Sequence, residues 1–304
     1  MSLCLRGSIL ITLLLSLLAP LANAANLKVI ETEHYTLHTD VEPALAKDLA
    51  VRLDAMYKEY DRRLADFKRG GTDERAKFEV YVFNDRLDYM KLTENRLANT
   101  GGVFIPHRNL LAAFLQGQGR DSLRRTLQHE AFHQFAFRSI SRDLPPWLNE
   151  GLAQLFEEGI WTGKAFMLNQ VPPRRIRQLQ ADVEADRTVP FKKMLPMTLD
   201  DWNETLTTNA ELGGVQYNQS WAMVHFLVYA GTENGGKAKY RDRLMQMLKK
   251  TNAGMDAGRA FTESFSDDFN AFEAAFIRYA GTLQPTPPAA MLERQGVLAD
   301  LLKG

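Results

Sequence analysis

The segment His129-Glu130-Ala131-Phe132-His133 lies in a run whose spacing predicts a helix over about 122–138. Leu127, Ala131, Phe132, Phe135 and Ala136 make that helix apolar over a broad arc. So wide an arc calls for burial, yet an unpaired buried carboxylate and two unpaired imidazoles are costly. The fold must therefore bring a partner to all three polar groups. Residues four apart on a helix stand on one face, one turn apart, so two imidazoles placed this way can share one zinc ion. Glu130 is rotated away from His129 and would lie beside the ion without ligating it, where a carboxylate can take a proton from a water.

Catalytic zinc commonly takes three protein ligands and keeps one position for water. Pro145-Pro146-Trp147-Leu148-Asn149-Glu150-Gly151-Leu152-Ala153 supplies a third ligand, Glu150, near the start of a helix that runs to Glu158, with Gly159 at its C-cap. The sixteen residues 134–149 are enough to finish the first helix, turn and return. Gly151 would let the two helices approach closely, and Leu148, Leu152, Leu155 and Phe156 give the packing face. The competing reading of Glu150 is a first-turn carboxylate that complements the helix dipole.

The rest of the chain reads as a small α/β part followed by a helical part. Strands are expected around Leu27–Ile30, Tyr35–Leu37, 78–83, 103–105 and 110–115, and helices over 43–67 and 86–93. Asp121 is the expected N-cap of the helix at 122–138. Further helices are expected near 174–185, 198–206, 215–230, 236–251 and 267–282. Pro285, Pro287 and Pro288 break the chain before a short amphipathic tail, within 285–304. Phe261, Phe265, Phe269, Phe272 and Phe276 read as a core stripe, and the pairs Arg124-Arg125 and Arg174-Arg175 as solvated charge.

Residues 1–24 read as a secretory signal peptide. Arg6 precedes an apolar run, Pro20 breaks it, and Ala22-Asn23-Ala24 offers a cleavage site before Ala25. The run is short for a spanning helix, so no membrane insertion is expected after cleavage. Cys4 is the only cysteine and leaves with this segment, so no disulfide framework can hold the exported chain. Export without disulfides points to a bacterial periplasm or secretion. The full chain has 37 basic and 37 acidic residues, which gives no electrostatic footprint for nucleic acid.

His129-Glu130-x-x-His133 followed by Trp147-Leu148-Asn149-Glu150-Gly151-Leu152-Ala153 resembles the gluzincin zinc metallopeptidases. The second segment is similar to the Trp-Leu-Asn-Glu-Gly-Phe-Ala stretch of aminopeptidase N-type enzymes. The overall layout is closest to the peptidase MA-like exported bacterial domains. The resemblance implies an α+β, zincin-like catalytic domain over 25–284, with a small mixed sheet and an active-site helix in 25–140 and a mainly helical part in 141–284. It also implies one Zn2+ per chain on His129, His133 and Glu150, with Glu130 as general base.

Tyr217 matches the tyrosine that in such enzymes donates its hydroxyl to the oxyanion, although a core aromatic is an equal reading. Two departures are visible. The spacing of sixteen is shorter than the usual eighteen, and Thr100-Gly101-Gly102-Val103-Phe104 lacks the amine-anchoring glutamate of the Gly-x-Met-Glu-Asn motif, so aminopeptidase activity is not implied. As in many zincins, the strand 110–114 is a candidate edge for an extended peptide, with Leu111, Ala112 and Ala113 as its contacts; the alternative is an internal strand. Gln154, Glu157 and His225 are candidates to orient a ligand from behind.

The expectation is an exported zinc metallopeptidase acting on a peptide or protein. Its rivals are a non-catalytic zinc module that binds a peptide or envelope partner, and a zinc hydrolase of a non-peptide amide such as a cell-wall component.

Overall fold

Alternating burial makes Tyr35 and Leu37 core residues of the second strand, and the same period recurs at Phe78, Val80 and Val82 of the third. The structure, a computed structural model, describes residues 27–67, 76–94, 100–232 and 236–301. The segment 1–24 expected to be a leader, with Cys4, lies outside the described residues.

Five strands form one mixed sheet: β1 (Lys28–Glu31), β2 (Tyr35–Thr39), β3 (Phe78–Phe83), β4 (Gly102–Ile105) and β5 (Leu110–Phe114), in the order β1-β2-β3-β5-β4. The inner pairs β2/β3 and β3/β5 are parallel, and the outer pairs β1/β2 and β4/β5 antiparallel. Helix α1 (Pro43–Arg63) makes the crossover between β2 and β3. Leu45, Leu49, Leu53, Met56 and Tyr60 line its buried face. Helix α2 (Arg86–Leu92), capped by the Asp85 carboxylate on the Leu87 N–H, covers the opposite face of the sheet with Tyr89.

Helix α3 (Arg120–Ser139) packs on the same face as α1 and carries the two histidines. Gly119 holds its N-cap position and Asp121 stands in its first turn, so the expected Asp121 cap is not formed. Beyond residue 140 the described chain is helical apart from a hairpin of two-residue strands, β6 (Ile160–Trp161) and β7 (Phe166–Met167). The fold is thus α+β, with a small mixed sheet followed by a mainly helical part. The helices are α4 (Pro146–Glu157), α5 (Pro173–Glu184), α6 (Phe191–Met194), α7 (Leu199–Thr208), α8 (Ala210–Tyr229), α9 (Arg241–Asn252), α10 (Ala257–Ser264), α11 (Phe269–Thr282) and α12 (Pro287–Leu301).

α8 starts five residues before the expected 215. Asn209 caps it by accepting the Leu212 N–H, and Gly213 lies inside its first turns, where a Cβ would meet Leu206 Cδ2 at 2.7 Å. A side chain there would have to displace the Leu206 side chain, so this glycine marks a helix contact and not a break.

The tail differs from its expectation as well. Met291, Leu292, Val297 and Leu298 of α12 are all exposed, and the helix is held instead by polar contacts. The Thr286 N–H donates to the Val171 carbonyl, and Glu293 accepts from Arg177 Nη2 and the Arg174 N–H. None of the described helices is long and apolar enough to cross a membrane.

Candidate metal centre

α3 and α4 pack together and bring His129, His133 and Glu150 to one point. His129 Nδ1 faces Glu157 Oε2 at 3.1 Å, and His133 Nδ1 faces Asn149 Oδ1 at 3.1 Å. An acceptor at each Nδ1 keeps the proton there and leaves the lone pair on Nε2. The two Nε2 atoms stand 3.1 Å apart, with Glu150 Oε2 3.2 Å from that of His129 and Oε1 3.5 Å from that of His133. Glu150 Oε2 is buried and accepts no hydrogen bond among the described residues. Lone pairs converging in this way repel one another unless protons or a metal ion sit among them. Tetrahedral ligands about 2.0–2.1 Å from zinc are separated by about 3.3 Å, so the observed spacing fits such an ion.

Electrostatics describe the same convergence. Burial opposes charge on the rings, but the Glu150 carboxylate, joined at His129 by Glu157, raises both imidazole pKa values, that of His129 strongly. Burial likewise opposes charge on Glu150, yet the two rings hold it well below the usual carboxylate range. Gly151 makes the placement possible. A Cβ there would collide with the Ser220 carbonyl and come 2.5 Å from Val224 Cγ2, so α4 rests directly on α8.

Of the three residues expected to act from behind, only Glu157 touches a histidine. The other two are corrected. Gln154 donates to the Tyr217 carbonyl at 2.9 Å and accepts from Arg175 at 2.8 Å, because its place on α4 faces α8 and α5. His225 is 2% exposed, and Tyr279 Oη at 2.7 Å and Asn169 Oδ1 at 3.1 Å take its ring nitrogens, so it is a packed core histidine.

The arginine pairs are not simply solvated. Arg125 Nη2 bonds Glu157 Oε1 at 3.0 Å and Glu158 Oε1 at 2.8 Å, and the buried Arg175 bonds Glu158 Oε1 at 2.5 Å. Arg125 thus bonds the Glu157 carboxylate that orients His129, and Arg175 Nη2 stands 3.6 Å from it. Asn149 escaped the sequence reading altogether; its position one residue before Glu150, on the turn of α4 nearest α3, was the available signal.

Glu130 Oε2 accepts the backbone N–H of Phe104 at 2.9 Å. Its other oxygen makes no hydrogen bond among the described residues. The strand beside it is β4, which corrects the expected peptide edge. β5, with Leu111, Ala112 and Ala113, is paired to β3 on one side and β4 on the other, and all five of its residues are buried. Its unbroken apolar run is that of a strand covered on both faces, with Leu111 and Ala113 toward α3 and Leu110, Ala112 and Phe114 toward α2. The edge strand on this side of the sheet is β4, with β1 at the other end.

Tyr217 stands two turns into α8, with its ring 5.2 Å from that of Trp202. Burial, followed by the negative charge of Glu150, raises its hydroxyl pKa well above the ordinary value. Its hydroxyl therefore stays protonated as a donor within electrostatic reach of the centre. A cavity of about 760 Å3 opens against His133 and Glu150.

No curated protein gives a significant match to this chain. Residues 124–251, from the first turns of α3 to the end of α9, match the model of a family described as Protein of unknown function (DUF1570), and that stretch carries His129, Glu130, His133, Glu150, Glu157 and Tyr217.

Proposed function

We propose that this chain is an exported zinc-dependent metallopeptidase. The observation that carries the proposal is the convergence of His129 Nε2, His133 Nε2 and Glu150 at tetrahedral-edge distances, with Glu130 fixed beside them on an open strand edge. Zinc at that point would polarise a carbonyl and make a water acidic near neutral pH.

The chain's own groups supply the remaining roles. Glu130 takes the proton of the attacking water on its unengaged oxygen and delivers it to the leaving amine. Tyr217 donates its hydroxyl to the oxygen that gains negative charge. β4 offers an extended peptide the outer backbone groups that remain beside the Phe104 N–H, which Glu130 already takes. Glu157 and Asn149 hold the two rings in the tautomer that points Nε2 inward. A non-catalytic zinc module would need no carboxylate held beside the ligands without ligating, so the placement of Glu130 favours an enzyme. The leader-like pattern of residues 1–24 supports export.

The test is the Glu130→Gln variant, with zinc content measured beside peptide-library cleavage. The expected result is one zinc in each protein and a fall of about 10²–10⁴ in cleavage rate for the variant. Equal cleavage by the zinc-loaded variant, or none by the zinc-loaded wild type, overturns the proposal.

A further inference from the structure

The cavity of about 760 Å3 beside His133 and Glu150 is of the size that receives whole ligand groups. Its walls come from five places in the chain. Phe104 of β4 and Phe137 of α3 stack edge to face, with ring centres 5.6 Å apart. Leu144 comes from the α3–α4 connection, Met197 from the α6–α7 connection and Met255 from the α9–α10 connection. The charged side chains lining it, apart from the metal-centre residues, are Arg142, Asp143 and Asp256, and all three are exposed. Arg142 lies with its guanidinium 5.2 Å from the Phe137 ring centre. Charge thus stands at the mouth, while the walls are mostly aliphatic, aromatic or thioether, with the Ser141 and Thr251 hydroxyls as neutral polar groups among them. Phe104 and Pro106 line the cavity and Gly102 does not, so it lies past the C-terminal end of β4. A peptide paired antiparallel to β4 runs the other way and lays its N-terminal residues over the cavity.

Resting on the peptidase reading, we infer that this cavity selects a bulky apolar side chain on the N-terminal side of the scissile bond, with Leu144, Met197 and Met255 setting the preference. A charged side chain there would lose its hydration without gaining a partner.

The experiment has two readouts. Zinc-loaded wild type is given end-blocked peptides that differ at one position, and the cut sites are mapped by mass spectrometry. Binding of the same peptides to zinc-loaded Glu130→Gln is measured by fluorescence anisotropy. Leu, Met or Phe before the cleaved bond is expected to exceed Asp, Lys or Gly by about ten- to a hundredfold in both readouts. Met197→Asp and Met255→Asp, both at partly exposed positions, are expected to abolish that preference and favour Lys; two positions are used so that misfolding of one leaves the other. Peptides bound and cut without an apolar preference, or a preference untouched by both substitutions, overturn this inference and leave the peptidase reading standing. No peptide bound and none cut overturns both.

Discussion

Phe104 of the outermost strand and Glu130 of the metal-centre helix are joined by a 2.9 Å hydrogen bond from backbone N–H to carboxylate. The bond locks the Glu130 rotamer and ties the sheet edge to α3 at the point where a substrate backbone would lie. It also predicts a difference between two substitutions. Glu130→Gln keeps an acceptor for the Phe104 N–H and should unfold near the wild-type midpoint. Glu130→Ala leaves that donor unpaired and should cost about 1–3 kcal/mol. Urea denaturation of the two metal-free variants checks this, and equal stability would show that the bond does not form.

Glu157 bonds His129 Nδ1 on one oxygen and Arg125 on the other. Glu157→Gln removes the charge that fixes the ring's tautomer, so zinc affinity should fall about 10–100-fold with the fold intact. Competition with a chromophoric chelator measures it. Because both histidines hold protons tightly when no metal is present, the affinity of wild type should rise with pH as zinc displaces those protons.

Gly151→Ala tests the contact that seats Glu150. The new Cβ would meet the Ser220 carbonyl and Val224, so α4 and α8 must separate. Overpacking of this kind costs about 1–3 kcal/mol or more, and the shift carries Glu150 with it. Both denaturation midpoint and zinc affinity should drop. A drop in stability at unchanged zinc affinity would mean that α4 gives way elsewhere.

The candidate metal-binding triad is legible in the sequence because its logic is local: two imidazoles one helical turn apart, and a carboxylate on a second apolar helix with a glycine beside it. What was not legible depends on which elements meet. Nothing in the sequence distinguishes Glu157 from Glu158 as the partner of His129; the register of α4 on α3 decides it. Arg125 and Arg175 look like surface charge until α5 is seen to pack against α8 and the end of α4. Of the two readings of 110–114, an edge or an internal strand, β5 is the internal one, and its five consecutive apolar residues are the mark of a strand buried on both faces. The edge role fell to β4, whose Phe104 N–H is directed to Glu130. The helices expected near 198–206 and 215–230 are α7 and α8, but α8 begins at Ala210 because Gly213 sits within it against Leu206.

Tyr217→Phe removes a hydroxyl and little else, since the ring keeps its contact with Trp202. If that hydroxyl meets the developing oxyanion, the turnover number should fall about 10²–10³-fold while zinc affinity and stability stay near wild type. A change confined to KM would assign Tyr217 to substrate binding, and an unchanged turnover number would remove it from the chemistry.

His225 gives the chain a pH dependence separate from the metal centre. Burial pushes its pKa down to about 3, against an ordinary value of 6.5. A histidine whose folded pKa is depressed contributes stability that is present in full above 6.5 and is lost as pH falls toward 3, because the unfolded chain then binds the proton and the folded one does not. The loss should approach about 1.4 kcal/mol per pH unit within that window. His225→Gln, which can still donate to Asn169, lacks this proton. The stability difference between wild type and His225→Gln, measured by urea denaturation in the presence of a chelator from about pH 7 to about pH 4, should therefore shift against the wild type as the pH falls. Groups common to both proteins, the metal-centre histidines included, cancel in that difference. A difference that stays constant with pH would mean that the ring finds water or a charge partner within the core.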